Sequence, residues 1–174
     1  MSRIAGLRLF GLTLALFLFA GLASSQTKVA VINMQRAVLE SDEIKKASDA
    51  METKFKPRQQ DIEKLQRDLQ NIQQQLQAGA GKLSQQAEAD LTALGQKKQR
   101  DLQRLSEDLQ ADVDRDRNDV LGKSTQKMQE VVKKLAEEKG YDVVVDVSNT
   151  VYFKPALEIT AEALAAYNKA YPVK

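Results

Sequence analysis

Residues 56–140 of this 174-residue chain contain no Phe, Tyr or Trp, and this gap constrains the fold more than any other feature. Aromatic side chains contribute much of the area that an ordinary globular core buries. A stretch of this length without them is not expected to form a compact core of its own. The aromatic residues nearest to the gap are Phe55 and Tyr141, so a core is expected where the two flanks of the gap meet.

A regular apolar spacing fills the first half of the gap. Its apolar residues are separated by three and four positions in turn, the a/d spacing of a coiled coil. They are Ile62, Leu65, Leu69, Ile72 and Leu76. The spacing stops at 77–81, where Gly79 and Gly81 make a helix costly and a chain reversal easy. We expect a helix that starts at Ser41 and runs to this reversal.

The second half of the gap has a different apolar period. Its apolar residues follow steps of three, four and four, which make an 11-residue repeat. They are Leu91, Leu94, Leu102, Leu105, Leu109, Val113, Val120, Val131 and Leu135. Such a repeat favours nearly straight or right-handed packing, whereas a heptad favours a left-handed supercoil; over so few turns, noise explains the difference equally well. We expect this helix to begin near Leu83 and to end before Gly140, which suits the left-handed position after a helix.

The charges of the two predicted helices are complementary. Residues 44–67 carry seven basic and four acidic side chains, whereas residues 101–119 carry seven acidic and three basic ones. Folding the chain about Ala80 places residue i beside residue 160 − i, so these stretches lie alongside each other. An exposed ion pair contributes only about 0.2–1 kcal/mol, and its main effect here is on register. The sequence therefore predicts a long antiparallel coiled-coil hairpin over residues 44–139, with its tip near 77–82.

Short β-branched runs lie on both sides of the hairpin. Residues 26–33 are typical of a strand, and Asn33 is expected to cap a short helix after it. Residues 141–147 and 151–153 are typical of two strands joined by a short turn. Thr160 is expected to cap a final helix. The predicted fold class is therefore mainly α with a small antiparallel β body (α+β), from which the hairpin projects.

The predicted body consists of two distant pieces of chain, residues 26–43 and 140–174. A body this small is near the lower limit for an independent hydrophobic core, and its three short strands have bare edges. We therefore expect it to oligomerise, since self-association supplies the buried area that one chain lacks. The candidate association residues are Val29, Val31, Val143 and Val145.

Residues 1–25 have the pattern of a cleavable signal peptide. Two arginines precede an apolar run at 9–20, and the small residues Ala23 and Ser25 stand at the positions that a signal peptidase requires. The run is shorter than the roughly 20 residues that span a bilayer, although a retained anchor is the alternative. Removing this segment leaves 24 basic and 24 acidic residues, so the net charge falls from +2 to 0. An exported, soluble protein is expected.

These features together resemble the Skp/OmpH family of periplasmic chaperones. The most specific segments are VAVINM at 29–34, DVVVDV at 142–147 and the stretch from Asp146 to Leu164. The resemblance implies a homotrimer whose β body joins the subunits and whose arms enclose a cavity. The resemblance also implies that this cavity holds unfolded outer-membrane proteins without ATP and keeps them from aggregating during transit to the outer membrane. The neutral mature chain departs from the strongly basic pattern of the family, which disfavours attraction to a membrane surface or lipopolysaccharide.

Two local features of the arms are candidate functional elements. Pro57 removes a hydrogen bond inside the first helix and is a candidate hinge that adapts the arm to its client; a fixed kink or a helix restart is the alternative. Four basic residues near the tip are candidate contacts for acidic client segments or anionic lipid, with an ordinary solvated helix face as the alternative. They are Lys82, Lys97, Lys98 and Arg100.

Other classes of function are disfavoured by composition. The chain has no Cys and no His, which excludes a thiol nucleophile, a disulfide, a Cys/His zinc site and a Ser-His-Asp triad. The acidic run at 112–116 lacks the glycine and terminal glutamate of a calcium loop. We expect no catalytic residue, metal or cofactor, and the balanced charge opposes nucleic-acid binding. The remaining alternative is an envelope coiled-coil structural or adaptor protein with one dedicated partner.

Overall fold

The computed structural model describes residues 26–173, so the expected signal peptide lies outside the described residues. Helices dominate this part of the chain. In chain order its elements are β1 (Val29–Ile32), α1 (Met34–Leu39), α2 (Asp42–Ala78), α3 (Gln85–Lys139), β2 (Val143–Asp146) and α4 (Thr160–Ala170). Two short 3-10 helices, Val147–Asn149 and Pro155–Leu157, connect β2 to α4.

Polar caps and a left-handed glycine define the helix ends. The side chains of Asn33 and Ser41 accept hydrogen bonds from the first turns of α1 and α2, as the sequence predicted. Ser84 caps α3 in the same way, one residue beyond the predicted start at Leu83. Gly140 follows α3 with φ 67°, which confirms its predicted role at the helix end.

The predicted cap of the last helix is wrong. Ile159 occupies the N-cap position of α4, and its side chain makes no capping bond. The Thr160 hydroxyl accepts a hydrogen bond from the Asn33 backbone N–H at 2.9 Å and donates one to the Glu158 carboxylate at 2.9 Å. Thr160 therefore joins α4 to the segment between β1 and α1 instead of closing its own helix.

The long helices α2 and α3 pack side by side in opposite directions. Ion pairs join Lys54 to Asp116 and Arg58 to Asp112, so near the body residue i of α2 faces residue 170 − i of α3. The expected register of 160 − i placed the reversal too early. Helix α2 runs on to Ala78, and the turn occupies residues 79–84, where Gly81 has φ 72°.

The sheet is parallel, which corrects the predicted antiparallel body. β1 pairs with β2 in the register Val29↔Val143 to Ile32↔Asp146. Parallel strands need a long crossover connection, and the helical hairpin between them supplies one. Residues 151–153, expected to form a third strand, are not a strand; after β2 the chain turns at Val147–Asn149, where the Asp146 carboxylate accepts a hydrogen bond from the Ser148 N–H at 2.8 Å. A parallel bridge from Val31 to Glu158 lines the other edge of β1.

The hydrophobic core lies where the two long helices meet the strands, α1 and α4. We call this region the root. Its buried members are Ala30, Ile32, Ala37, Val38, Ile44, Met128, Val131, Val132, Leu135, Ile159, Ala163 and Tyr167. Farther along the hairpin, only Phe55, Leu69 and Ile72 are buried among the described hydrophobic residues. The core therefore combines the two flanks of the aromatic gap with the last part of α3, which lies inside the gap and contributes Met128, Val131, Val132 and Leu135.

Candidate functional site

The predicted association residues lie on one face of the sheet. Val29 pairs with Val143 and Val31 with Val145, and paired residues on neighbouring strands point to the same side. The alternate residues of β1 face the root core on the other side. The four valines differ in exposure, since Val31 is 3% exposed and already covered within the chain, whereas Val143 is 46% exposed.

Further apolar side chains are exposed on the body beyond Val143. Val151 and Tyr152 are almost fully exposed, and Leu157 is 37% exposed. We call Val143, Val151, Tyr152 and Leu157 the exposed apolar set. Large apolar groups that stay exposed on a small body are typical of a surface that another protein covers. Val151, Tyr152 and Leu157 were not predicted from the sequence; the first two lie at 151–153, which was expected to be a strand.

A cluster of polar contacts holds α4 against the bases of both long helices. The Tyr167 hydroxyl donates a hydrogen bond to the Glu43 carboxylate, and Lys127 Nζ lies 2.6 Å from the other oxygen of that carboxylate. Lys127 Nζ also lies 5.0 Å from the centre of the Tyr171 ring, a cation–π distance. The Asn168 side chain accepts a hydrogen bond from the Asp42 N–H at 3.1 Å. We call this cluster the root latch.

The latch changes the protonation behaviour of two of its members. Burial and the hydrogen bond to Glu43 raise the pKa of Tyr167 to about 12. Burial raises the pKa of Glu43, but the hydrogen bonds from Lys127 and Tyr167 outweigh it, so the pKa lies below its ordinary value. At neutral pH the latch therefore combines a carboxylate, an ammonium group and a neutral phenol.

Pro57 lies inside α2, which continues unbroken from Asp42 to Ala78. The alternative of a helix restart at this position is therefore wrong. Two ion pairs to α3 lie on either side of the proline: Lys54 with Asp116, and Arg58 with Asp112 at 2.6 Å. The hydrogen bond from Arg58 holds the pKa of Asp112 below its ordinary value, although burial acts in the opposite direction. The structure thus places the candidate hinge in a segment that is tied to the other helix.

The four predicted basic residues of the tip have different environments. Lys98 points across the hairpin and pairs with Asp68 at 2.5 Å. Lys82 lies in the turn between the helices, and Lys97 is exposed on α3. Arg100 lines a groove between the two helices. The four side chains therefore do not share one common role in the structure.

The groove beside Arg100 was not foreseen from the sequence. It has a volume of about 440 Å³ and lies between α2 and α3 in the outer part of the hairpin. Its lining residues are Leu69, Ile72, Gln73, Leu76, Thr92, Gly95, Gln96, Gln99 and Arg100. The sequence feature that could have indicated this groove is the frequency of glutamine in the hairpin: fourteen of the eighteen glutamines lie between Gln59 and Gln110.

Residues 26–173 lack two features that would indicate other kinds of site. No helix in that range is long and apolar enough to cross a membrane. The same residues contain no group of three or more acidic side chains arranged to hold a metal ion.

A family model matches most of the chain. The model described as "Outer membrane protein (OmpH-like)" matches residues 28–167, which include both strands, both long helices and most of α4. The chain belongs to the OmpH-like family. The match covers the two pieces of the root as well as the hairpin, so membership does not rest on a helical pattern alone.

Curated relatives of this OmpH-like chain are similar over nearly their full length. The "Skp-like protein" of Pseudomonas aeruginosa is 32% identical over 160 residues, which cover 92% of this chain and 95% of the relative. The "Chaperone protein Skp" of Yersinia enterocolitica is 26% identical over 152 residues, covering 87% of this chain and 93% of the relative.

A solved structure has the same fold as this OmpH-like chain. It is the crystal structure from Caulobacter crescentus described as an OmpH-like outer membrane chaperone. Its TM-score is 0.70 at 20% identity, and the similarity covers 85% of this chain and 88% of the solved one. The combination of a small body and a long helical hairpin is therefore the fold of the family.

Proposed function

We propose that this protein is an ATP-independent holdase chaperone of the periplasm. It binds unfolded outer-membrane proteins between helical arms and prevents their aggregation during transit to the outer membrane. The observation that supports this most is the hairpin of α2 and α3, whose outer part packs on no other helix or strand of residues 26–173, in a family whose relatives are described as chaperones.

The surface of the hairpin suits weak and reversible binding. Three grooves along it are open to solvent and have volumes of about 320 to 470 Å³. Many weak contacts to one polypeptide can reach a high combined affinity. The sequence has no GxxxxGK[ST] motif, so release is expected to follow from the weakness of each contact and not from nucleotide hydrolysis. Enclosure between arms keeps the strand edges of a client from pairing with another chain.

The exposed apolar set supports self-association, and we propose that the assembly is a homotrimer. Val143→Asp combined with Tyr152→Asp places two charges on this surface and is expected to give smaller species in analytical ultracentrifugation. Val173→Asp, at an exposed apolar position near the end of the chain, is the matched control. A wild-type protein that remains a folded monomer at micromolar concentration would rule out the trimer.

The holdase function is tested by suppression of aggregation. Several urea-unfolded outer-membrane β-barrel proteins are diluted with and without the purified protein, and light scattering is followed. We expect scattering to fall for each barrel protein at near-stoichiometric amounts of chaperone, with no dependence on ATP. Suppression for one protein alone would favour the adaptor alternative, and no suppression would refute the proposal.

Pro57 is proposed as a hinge that adapts the arm to clients of different size. Its ring removes the backbone donor to the carbonyl one turn earlier and weakens the helix at that point. Pro57→Ala restores that hydrogen bond and is expected to narrow the range of client sizes captured, with Gln60→Ala one turn away as control. An unchanged range would mean that Pro57 is a fixed kink.

A further inference from the structure

The groove between the outer parts of α2 and α3 has an apolar floor and an amide rim. Leu69 and Ile72 are 9% and 6% exposed, and with Leu76 they form the floor. Gln73 lies on one rim, and Gln96 and Gln99 lie on the other. Gly95 lets the helices approach closely, since a Cβ at this position would lie 3.4 Å from Ile72 Cγ2. We call this feature the amide groove.

The rim glutamines are available for a ligand. Gln73, Gln96 and Gln99 are exposed, and their side chains make no hydrogen bond or ion pair with any part of the described chain. Three other arm glutamines, Gln86, Gln103 and Gln110, are each engaged by an acidic residue four positions later. A glutamine amide can donate and accept hydrogen bonds at the same time, as can each peptide group of a polypeptide backbone.

The charge around the groove is unusually low for this chain. Residues 70–99 contain nine glutamines and five charged side chains, whereas residues 100–119 contain eleven charged side chains. The groove is lined by one cation, Arg100, and by no carboxylate. A binding surface of this kind complements an uncharged polar ligand better than a strongly charged one.

The dimensions of the groove match a short extended peptide. From Leu69 to Leu76 the floor extends about 10 Å at the rise of an α-helix. Three residues of an extended strand cover about the same length. The backbone of such a segment offers N–H and C=O groups along both edges, and one of its apolar side chains can enter the floor.

We propose that the amide groove binds extended segments of unfolded polypeptide through their backbone amides. This inference rests on the proposed holdase function and specifies its ligand. The amides pair with the backbone whatever the sequence, and the floor accepts apolar side chains of several sizes. Unpaired strand edges are where unfolded chains pair with one another and aggregate. A site that pairs with backbone groups therefore covers the segments of the client that would otherwise aggregate.

The proposal is tested with a triple variant and a matched control. Gln73→Ala, Gln96→Ala and Gln99→Ala remove the rim amides while keeping strong helix formers. The control triple is Gln60→Ala, Gln126→Ala and Gln129→Ala, all at exposed helix positions outside the groove. The probe is a fluorescent, uncharged peptide of about ten residues, long enough to cross the groove. Its affinity is measured by anisotropy, alongside that of the same peptide N-methylated at alternate residues.

We expect the rim variant to bind the probe roughly 30- to 150-fold more weakly, as the loss of two or three hydrogen bonds of ordinary net strength implies. The N-methylated peptide should lose affinity to a similar extent on the wild-type protein, and the control triple should bind normally. Binding should also be nearly constant between low and high salt, since no ion pair is involved.

Several outcomes would overturn the proposal. Equal loss in the control triple, undiminished binding of the N-methylated peptide, or a steep loss of affinity with salt would each do so. A changed assembly mass in the rim variant would mean that the groove is an interface between copies. The two hypotheses fail separately: wild-type protein that does not suppress aggregation refutes the holdase function, whereas a rim variant that binds the probe like wild type refutes only the amide groove.

Discussion

The root and the outer arm are built from the same two helices, yet they are stabilised differently. At the root, α2 and α3 also contact α1 and α4, and side chains such as Met128 and Tyr167 are fully buried. In the outer arm, the part of the hairpin beyond the root, the two helices contact only each other within the described part of the chain, through one thin apolar seam. Packing from several sides makes the root rigid, whereas the thin seam leaves the outer arm free to adjust locally. The chain thus separates a fixed base from an adaptable surface.

The largest expected effect on stability comes from creating a cavity in the root. Met128→Ala empties a fully buried position and should lower the free energy of unfolding by about 3 kcal/mol. Ile72→Ala in the outer seam should cost about half as much, because two helices can close partly over the gap. Urea unfolding at matched protein concentration measures both, and Met128→Leu controls for side-chain volume. Equal losses at the two positions would refute the contrast between root and arm.

Breaking the root latch should have the next largest effect on stability. Tyr167→Phe removes the hydroxyl that donates to Glu43 and should destabilise the protein by about 1.5 kcal/mol, since the lost hydrogen bond is made to a charged group. Tyr152→Phe, at an exposed position, should have no effect. Chemical unfolding gives the stability. Hydrogen exchange should show faster opening at the bases of α2 and α3, and exchange unchanged there would contradict a latch role.

Replacing two glycines of α3 by alanine should change stability in opposite directions: Gly140 lies just after the helix and Gly122 lies within it. Gly140→Ala places a Cβ at φ 67° and should cost about 1 kcal/mol. Gly122→Ala lies within α3 with nothing within 4 Å of the added Cβ, so it should gain up to about 1 kcal/mol of helix stability. Thermal unfolding of the two variants side by side decides the signs. A gain at Gly140 would mean that the end of α3 is not held in the left-handed conformation.

Acid should affect the arm pairs by the smallest amount. Hydrogen bonds from Lys98 and Arg58 hold the pKa of Asp68 and Asp112 below the ordinary value of 3.8, against an opposing effect of burial. Their stabilisation is therefore complete above pH 3.8 and is lost as the pH falls through the lowered values in the folded protein. Hydrogen exchange along the whole hairpin at pH 7 and near pH 3 measures the loss. Asp112→Asn should reduce the pH dependence, and an unchanged profile would show that these pairs contribute nothing.

Much of the fold was predictable because its signals are local. Ser41 and Gly140 act at the helix ends through their own backbone neighbours, and the apolar spacing marks the seam of the hairpin. The pairing of β1 and β2 is not local. Residues 141–153 have the composition of a hairpin, and only the direction in which α3 returns β2 to β1 makes the sheet parallel. The helical crossover between the strands was visible in the sequence and was the available clue.

The candidate sites were less predictable for the same reason. Val31 and Val143 were both predicted to take part in association, but Val143 is exposed, whereas Val31 is buried and its backbone is bridged to Glu158, far away in sequence. The Thr160 side chain was predicted to cap its own helix, whereas its hydroxyl accepts a hydrogen bond from the Asn33 backbone. The partner of Lys98 depends on the register of the hairpin, which a shift of the reversal by a few residues changes.

The pairing of β1 with β2, on the two sides of the hairpin, also has a kinetic consequence. The Lys28 N–H and the Asp142 carboxylate that bond at the edge of the sheet are 114 residues apart, so β1 is synthesised long before its partner. Closing so long a loop in an unstructured chain is slow. The contacts of the hairpin near its turn are local, so its two helices can pack progressively from that turn and bring β1 and β2 together. The arm would then guide the folding of its own protein before it ever meets another.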